Sequence, residues 1–389
     1  MNPIRILFSA ISGYGFYYLK TLLEEIPEDQ AMICGVIDPQ PEKSGHFQEI
    51  VARNIPIYSD MESFFLDGNT ADLTVISSPL QYHVPQSIAA LKNGSNVLVD
   101  KPVGVTPGEM KRLIATRNQT GKWVEVGYQW SFSKAIRDLK RDILDGKFGK
   151  PVRMKTLCLW PRPFAYFNRN NWAGRIWAED GNLVLDSVAN NACAHYLHNM
   201  FFLAGQEMNQ SAIPVTVTGE RWRAYDIQNF DTVTCRVVTD NDVEVLFYAS
   251  HITENQTDPT FEFEFEKAVV RLDKDSHGIV ATLPDGTTIN YGHPDKDHQF
   301  KKLFQSIDKC RTPGADICPP EAALSQVLCI NLLHELPNEI QTFPSRFVVI
   351  DKDRRWVKGV GEKMVAAYQD WKMDNVMRDA KDKEVTSDR

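Results

Sequence analysis

The sequence of 389 residues predicts an α/β fold in two parts. An N-terminal doubly wound parallel sheet is followed by a C-terminal α/β domain with a large open, mostly antiparallel sheet. Three observations predict it. A strand, a small-residue turn and a helix open the chain between Ile4 and Leu23. The run from Asp72 to Asp100 reads as two buried parallel strands joined by a crossover helix. Beyond Gly149 the pattern turns strand-rich and reaches Phe261-Glu-Phe-Glu-Phe-Glu266, whose strict alternation gives one apolar and one acidic face.

The first strand, Ile4 to Phe8, runs into Ser9-Ala-Ile-Ser-Gly-Tyr-Gly15. A dinucleotide-binding GxGxxG loop fits here with Ala10, Ser12 and Gly15 at its three positions and Gly13 and Tyr14 between them. Ala10 makes the turn if its backbone is not left-handed, and Gly15 lets the helix lie close to the strand. An alternative register takes Gly13 and Gly15 as the first two glycines and puts Tyr18 at the packing position; the first register is preferred. The next strand, Ala31 to Ile37, ends in Asp38, where a carboxylate can accept both ribose hydroxyls and would repel a 2'-phosphate. The nearest cation downstream is Lys43. The expected cofactor is therefore NAD rather than NADP.

Ligands of doubly wound sheets bind beyond the carboxyl ends of the strands. Ser78-Pro79 and Asp100-Lys101-Pro102 should both open onto that crevice, with His83 at its edge, and a lysine there can act as acid or base. The crossover to the second part falls near Val124 to Trp130. It is followed by a helix marked by Ile136, Leu139, Ile143 and Leu144 and closed by Gly146 and Gly149. The domains are placed at 1–125 and 126–389. Strands are expected at Val152 to Trp160, Val215 to Trp222, Thr232 to Val238 and Val243 to Ala249. Later helices are expected at Phe300 to Ser306, Glu321 to Glu335 and Lys363 to Trp371, before a frayed polar end from Asp374 to Arg389. The acidic face of the alternating strand is left for solvent or a second subunit, so a homo-oligomer, dimer or tetramer, is expected through the open sheet.

Between Trp160 and Gly181 the chain is dense in aromatics and arginines, among them Trp160, Arg162, Tyr166 and Trp172. Flat rings pack on the C–H face of a sugar, and arginines bind hydroxyls or a carboxylate. The segment from Gly181 to Gly205 reads as a helix with Asp186, Asn190, Asn191 and His195 on it. At about 100° per residue Asp186 and His195 come out roughly opposite, so either the regular helix begins later or His195 serves a different contact.

A net charge of −8 without a basic stripe argues against nucleic acid or an anionic membrane surface as partner. Seven scattered cysteines with no CxxC suit a reducing compartment and give no metal site. The N-terminal apolar run is too short for a signal peptide and no stretch approaches the roughly 20 apolar residues of a membrane span, so the expected location is the cytoplasm.

Together these residues resemble the Gfo/Idh/MocA oxidoreductases, the family of glucose-fructose oxidoreductase and inositol dehydrogenase. The strand-end Glu-Lys-Pro of the family is Asp100-Lys101-Pro102, its Thr-Pro with a nearby histidine is Ser78-Pro79 with His83, and its Gly-Tyr is Gly127-Tyr128, beside the substrate-binding candidate Gln129. Its Asp-x-Gly-x-His falls on Asp186-Ser-Val-Ala-Asn190. The resemblance implies a Rossmann domain that binds NAD(P), and hydride exchange with a sugar or cyclitol. It assigns Lys101 and Asp186 to the reacting hydroxyl and places the family's histidine on Asn190. Lys101 would then transfer the proton, Asn190 would hold a neighbouring hydroxyl and His195 would be the reserve base. Two further readings are a fold relative that recycles NAD during glycoside cleavage or epimerisation, and a non-catalytic NAD or sugar sensor.

Overall fold

The computed structural model describes residues 2–272 and 277–373; the end expected to fray, Asp374 to Arg389, lies outside the described residues. The chain divides into two compact units, Met1–Ser133 with Asp297–Leu324, and Lys134–Lys296 with Ser325–Arg389. The expected boundary at 125/126 put everything later into one domain. The segment 297–324 instead belongs to the first unit.

In the first unit β1 (Ile4–Ser9), α1 (Gly15–Glu24), β2 (Ala31–Ile37), α2 (Phe47–Ala52), β3 (Ile57–Tyr58), α3 (Met61–Leu66), β4 (Leu73–Ile76), α4 (His83–Lys92), β5 (Asn96–Val99), α5 (Pro107–Thr120) and β6 (Val124–Val126) follow in order. The strands form an all-parallel sheet ordered β3-β2-β1-β4-β5-β6, so the order reverses between β1 and β4. Leu73, Val75, Val97, Leu98 and Val99 are completely buried, which is why these strands read as continuous apolar runs. Helix α5 starts on a capping box between Thr106 and Glu109 and stops at left-handed Gly121.

The second unit begins with α6 (Lys134–Leu144), β7 (Pro151–Leu159), α7 (Phe164–Phe167) and α8 (Ala194–Ala204), then runs through β8 (Pro214–Arg223), β9 (Thr232–Thr239), β10 (Glu244–Ser250), β11 (Thr257–Phe265), β12 (Ala268–Leu272), β13 (Ile279–Thr282) and β14 (Thr288–Gly292). The chain returns to the first unit with α9 (Lys301–Arg311), whose Phe300 flank, Leu303 and Ile307 join the core of Phe8, Tyr18 and Leu19. That burial is the physical reason for the altered boundary. After α10 (Pro320–His334) come β15 (Gln341–Thr342), β16 (Val348–Asp351), β17 (Arg354–Val357) and α11 (Val360–Gln369).

The large sheet is ordered β14-β13-β12-β11-β7-β10-β9-β8-β15, and its pairings are antiparallel except β7 with β10 and β8 with β15. Phe261, Phe263 and Phe265 are buried on one face. The alternating glutamates face cations on neighbouring strands, Arg153 at 2.6 Å from Glu264 and Arg271 at 2.7 Å from Glu262. Part of that face, expected to be open, is covered by the chain itself. Leu157, Leu246 and Tyr248 pack with Val360, Met364 and Tyr368 of α11, and Lys155 donates to the Tyr368 carbonyl at 2.8 Å.

Candidate functional site

In the first unit the strand ends meet as the doubly wound order requires. Ala10 is left-handed, with φ +67°, contrary to the condition set for its turn. The conformation costs an alanine about 1 kcal/mol, and Ala10 N–H still donates to the Ile37 carbonyl at 2.8 Å. Gly15 is obligatory, since a Cβ there would stand 1.9 Å from the Ala10 carbonyl oxygen. Asp38 accepts from Ile11 N–H at 3.1 Å and from Gln40 N–H at 2.9 Å, which fixes its carboxylate beside the loop 10–15. The hydroxyl oxygens of Ser12 and Ser77 are buried and find no partner among the described residues. Buried hydroxyls at a turn of this kind, with a fixed strand-end carboxylate beside them, fit a dinucleotide.

Ser78 and Ser9 hydroxyls both donate to Gln86 Oε1, at 2.8 and 3.0 Å, tying the ends of β1 and β4 together. His83 was expected at the crevice edge. Its two ring nitrogens instead lie 2.7 Å from the carbonyl oxygens of Ser78 and Pro102. With the ring only 3% exposed, His83 is wedged between the two loops: as a neutral imidazole it donates to one of the two carbonyls, and only as imidazolium to both. Burial lowers its pKa, against the opposing pull of Asp100 and the two carbonyls. The ring lies against the turn that carries Lys101, which is half-buried and followed by Pro102 through a cis peptide bond.

One residue here was missed in the sequence. Lys302 of α9 is fully buried and places Nζ 3.3 Å from Asp100 Oδ1 and 2.9 Å from the Gly127 carbonyl, near the faces of Tyr14 and Tyr18. Burial alone would lower its pKa, yet the tyrosines and Asp100 leave it raised. Asp100 is the carboxylate of this group and forms an ion pair with Lys302. Helical periodicity could not reveal it, because at about 100° per residue Lys302 lies 100° or more from Phe300, Leu303 and Ile307.

In the second unit the regular helix begins at Ala194, later than Asp186, so the wheel argument does not apply to residues 186–193. Asp186 is 2% exposed, accepting from Gly174 N–H at 2.6 Å and from Asn191 Nδ2 at 2.7 Å, with Arg169 at 4.0 Å. The residue before it, Leu185, is left-handed at φ +49°, a strained conformation for a branched side chain. Asn190 Nδ2 donates to that Leu185 carbonyl at 3.1 Å, and Asn190 Oδ1 accepts from Gln326 at 3.0 Å. Both ends of the amide are thus engaged within the protein; where a substrate hydroxyl was expected, Asn190 supports the turn that aims Asp186. His195 sits half-buried in the first turn of α8.

The aromatic and arginine segment stacks on itself. Arg169 lies 3.9 Å from the Tyr166 ring centre and 5.0 Å from that of Trp172, while Arg162 lies 4.9 Å from Tyr166 and 5.4 Å from Trp160. Ring faces expected to meet a sugar are therefore partly occupied by guanidinium groups. Burial, with the charge of Asp186, pushes the Tyr166 phenol up to about 12.

Comparison with known proteins agrees with this geometry. Residues 9–128 match the Gfo/Idh/MocA family, described as an oxidoreductase family with an NAD-binding Rossmann fold. The match covers the first third of the chain. Among curated relatives, the scyllo-inositol 2-dehydrogenase (NAD(+)) of Bacillus subtilis is 29% identical over 156 residues, 40% of this chain and 44% of that protein. A glycosyl hydrolase family 109 protein of Saccharopolyspora erythraea is 29% identical over 115 residues, 29% of this chain and 25% of that protein. The chain thus spans less than half the length of either. The crystal structure of the WlbA dehydrogenase of Bordetella pertussis in complex with NADH and UDP-GlcNAcA shares the fold, with a TM-score of 0.68 at 17% identity, covering 86% of this chain and 96% of that one. Among the described residues no helix is long and apolar enough to cross a membrane.

Proposed function

We propose that this protein is an NAD-dependent oxidoreductase of the Gfo/Idh/MocA family that moves a hydride between nicotinamide and a hydroxyl-bearing carbon of a sugar, cyclitol or sugar-acid derivative. The observation that carries it is Lys101 at the end of β5, on a turn that His83 contacts and beside a carboxylate fixed by Lys302. NAD, when bound, supplies the hydride acceptor. The loop 10–15 would hold its pyrophosphate, with Ser12 as donor, and Asp38 would accept from the ribose hydroxyls.

Lys101 takes the hydroxyl proton as the carbon–hydrogen bond breaks. To accept it Lys101 must first be deprotonated, which partial desolvation favours. In the second unit Asp186 would accept a hydrogen bond from a hydroxyl of a bound polyol. Asn190 keeps Leu185 in the strained conformation that presents it. Adding the right polyol with NAD should raise the absorbance of reduced nicotinamide, and Lys101→Met should abolish this while sparing NAD binding. Undiminished turnover in Lys101→Met would sink the assignment.

A second reading keeps the fold and recycles the cofactor during glycoside cleavage or epimerisation. It is favoured by Asn190, an amide that takes no proton at neutral pH in the position of the family's histidine. Tightly held NAD with no net reduction during turnover would select it.

A further inference from the structure

The segment from Phe164 to Arg175 has two sides. Tyr166, Arg169 and Trp172 stack with one another, and Arg169 reaches Asp186. Phe164, Phe167 and Arg175 instead line a cavity of about 680 Å3, closed by Arg223, Tyr225 and Arg355. We propose that this cavity is a second ligand site, apart from that of Asp186, and that it takes a small ring-bearing molecule with a carboxylate or phosphate group.

Its volume is that of a small-molecule site, and its walls pair aromatic rings with cations. Three arginines face one carboxylate, that of Asp226, which also lines the cavity. Arg175 already meets Glu179 at 3.0 Å. Neither Arg223 nor Arg355 has a carboxylate within 4.0 Å among the described residues, although Arg223 acts on the buried Asp231. Arg223 Nη1 holds the carbonyls of Ile227 and Gln228, at 2.9 and 2.8 Å, which shapes the loop. Arg355 Nη1 holds the Ala224 carbonyl at 2.9 Å, while its buried Nε has no acceptor among the described residues. A guanidinium braced in this way, with an unused N–H, is ready for an oxyanion. The Phe164 and Tyr225 rings stand 5.5 and 5.9 Å from its centre and hold the guanidinium against an aromatic wall that Phe167 continues.

The packing holds this surface in place. Gly174 is left-handed, and a Cβ there would meet Ile227 at 2.7 Å, so only glycine lets the two walls come this close. Tyr225 binds both the Arg162 carbonyl and the Arg355 N–H through its hydroxyl. The wall is also continuous with the mount of Asp186, since Gly174 N–H donates to that carboxylate and Asp186 N–H to the Arg175 carbonyl.

The test is calorimetric titration of the full chain with glucuronate, glucose 6-phosphate and glucose. At least one of the two acids should bind while neutral glucose does not, Arg355→Gln should weaken that binding at least tenfold, and Lys101→Met should leave it unchanged. Thermal melting checks that Arg355→Gln is folded. If it is not, Arg175→Gln, which removes a cation from another wall, should weaken binding at least threefold. Glucose binding as tightly as the acids would overturn the proposal, as would failure of both acids to bind or acid affinity unmoved in folded arginine variants.

Discussion

The strand-end loops of the first unit and the aromatic segment of the second are built on different plans. Around Lys101 several polar groups are fixed by others at hydrogen-bond distance: His83 between two carbonyls, Asp100 on Lys302, Gln86 on two serines. Between Trp160 and Arg175 cations lying over rings add to the hydrogen bonds of Gly174 with Asp186 and of Ala173 with Asn170. The cation–ring contacts are individually weak and tolerate small displacements. The difference teaches that the first region is suited to holding one reacting geometry, and the second to accepting ligands of varied shape.

The sharpest way to break that comparison is at its reacting group. Lys101→Met should lower turnover by about 10²–10⁴-fold, the range of general acid–base catalysis, with the fold intact by circular dichroism. Next is the buried pair. Lys302→Met leaves Asp100 without its cation and should cost about 3–5 kcal/mol in chemical denaturation, whereas the double variant with Asp100→Asn should recover much of it. A loss no greater in the single than in the double variant would show that the pair is not an ionic lock.

Under the aromatic segment lies His251, 1% exposed, whose Nδ1 faces the Trp160 carbonyl at 2.8 Å. Burial, helped by Arg162, holds its pKa at about 3 against an ordinary 6.5. The unfolded chain therefore binds this proton below pH 6.5 and the folded chain does not, so stability is lost as pH falls. Relative to His251→Gln, the protein should lose about 1.4 kcal/mol per pH unit between about pH 6 and 4. The buried Asp231 carboxyl, pushed up to about 6 by desolvation, works in the opposite direction and cancels in this difference. Equal slopes for the two proteins would remove the buried neutral histidine from the account. The smallest effect belongs to the phosphate loop: Ala10→Gly should raise stability by about 1 kcal/mol at most, by relieving the left-handed alanine, less the entropy glycine adds to the unfolded chain. An unfolding midpoint that falls would mean the methyl group packs usefully.

The parallel sheet was legible because strands buried on both faces read as apolar runs, and the turn after β1 and Asp38 after β2 stand at fixed offsets from them. Lys101 was legible for the same reason. His83 was visible as a residue and misread as to partner, since only the folded turn brings the Pro102 carbonyl to its ring. The arginines stacked on their own aromatics, and the amide of Asn190 turned toward Leu185, were out of reach because both depend on side-chain directions within irregular backbone. The cover over the acidic sheet face was half legible: α11 was expected as a helix, but its allegiance to Leu157 and Tyr248 is a long-range choice that no local pattern records.

The return of α9 to the first unit has a consequence for how the protein is made. As the chain leaves the ribosome, β1 to β6 emerge early, but the core of Phe8, Tyr18 and Leu19 lacks Phe300, Leu303 and Ile307 until most of the second unit has been synthesised. Asp100 waits over the same interval for Lys302. The nucleotide-fold half is first to be translated and cannot be first to finish, so a nascent chain stalled before residue 297 should display an incomplete apolar surface for chaperones to hold.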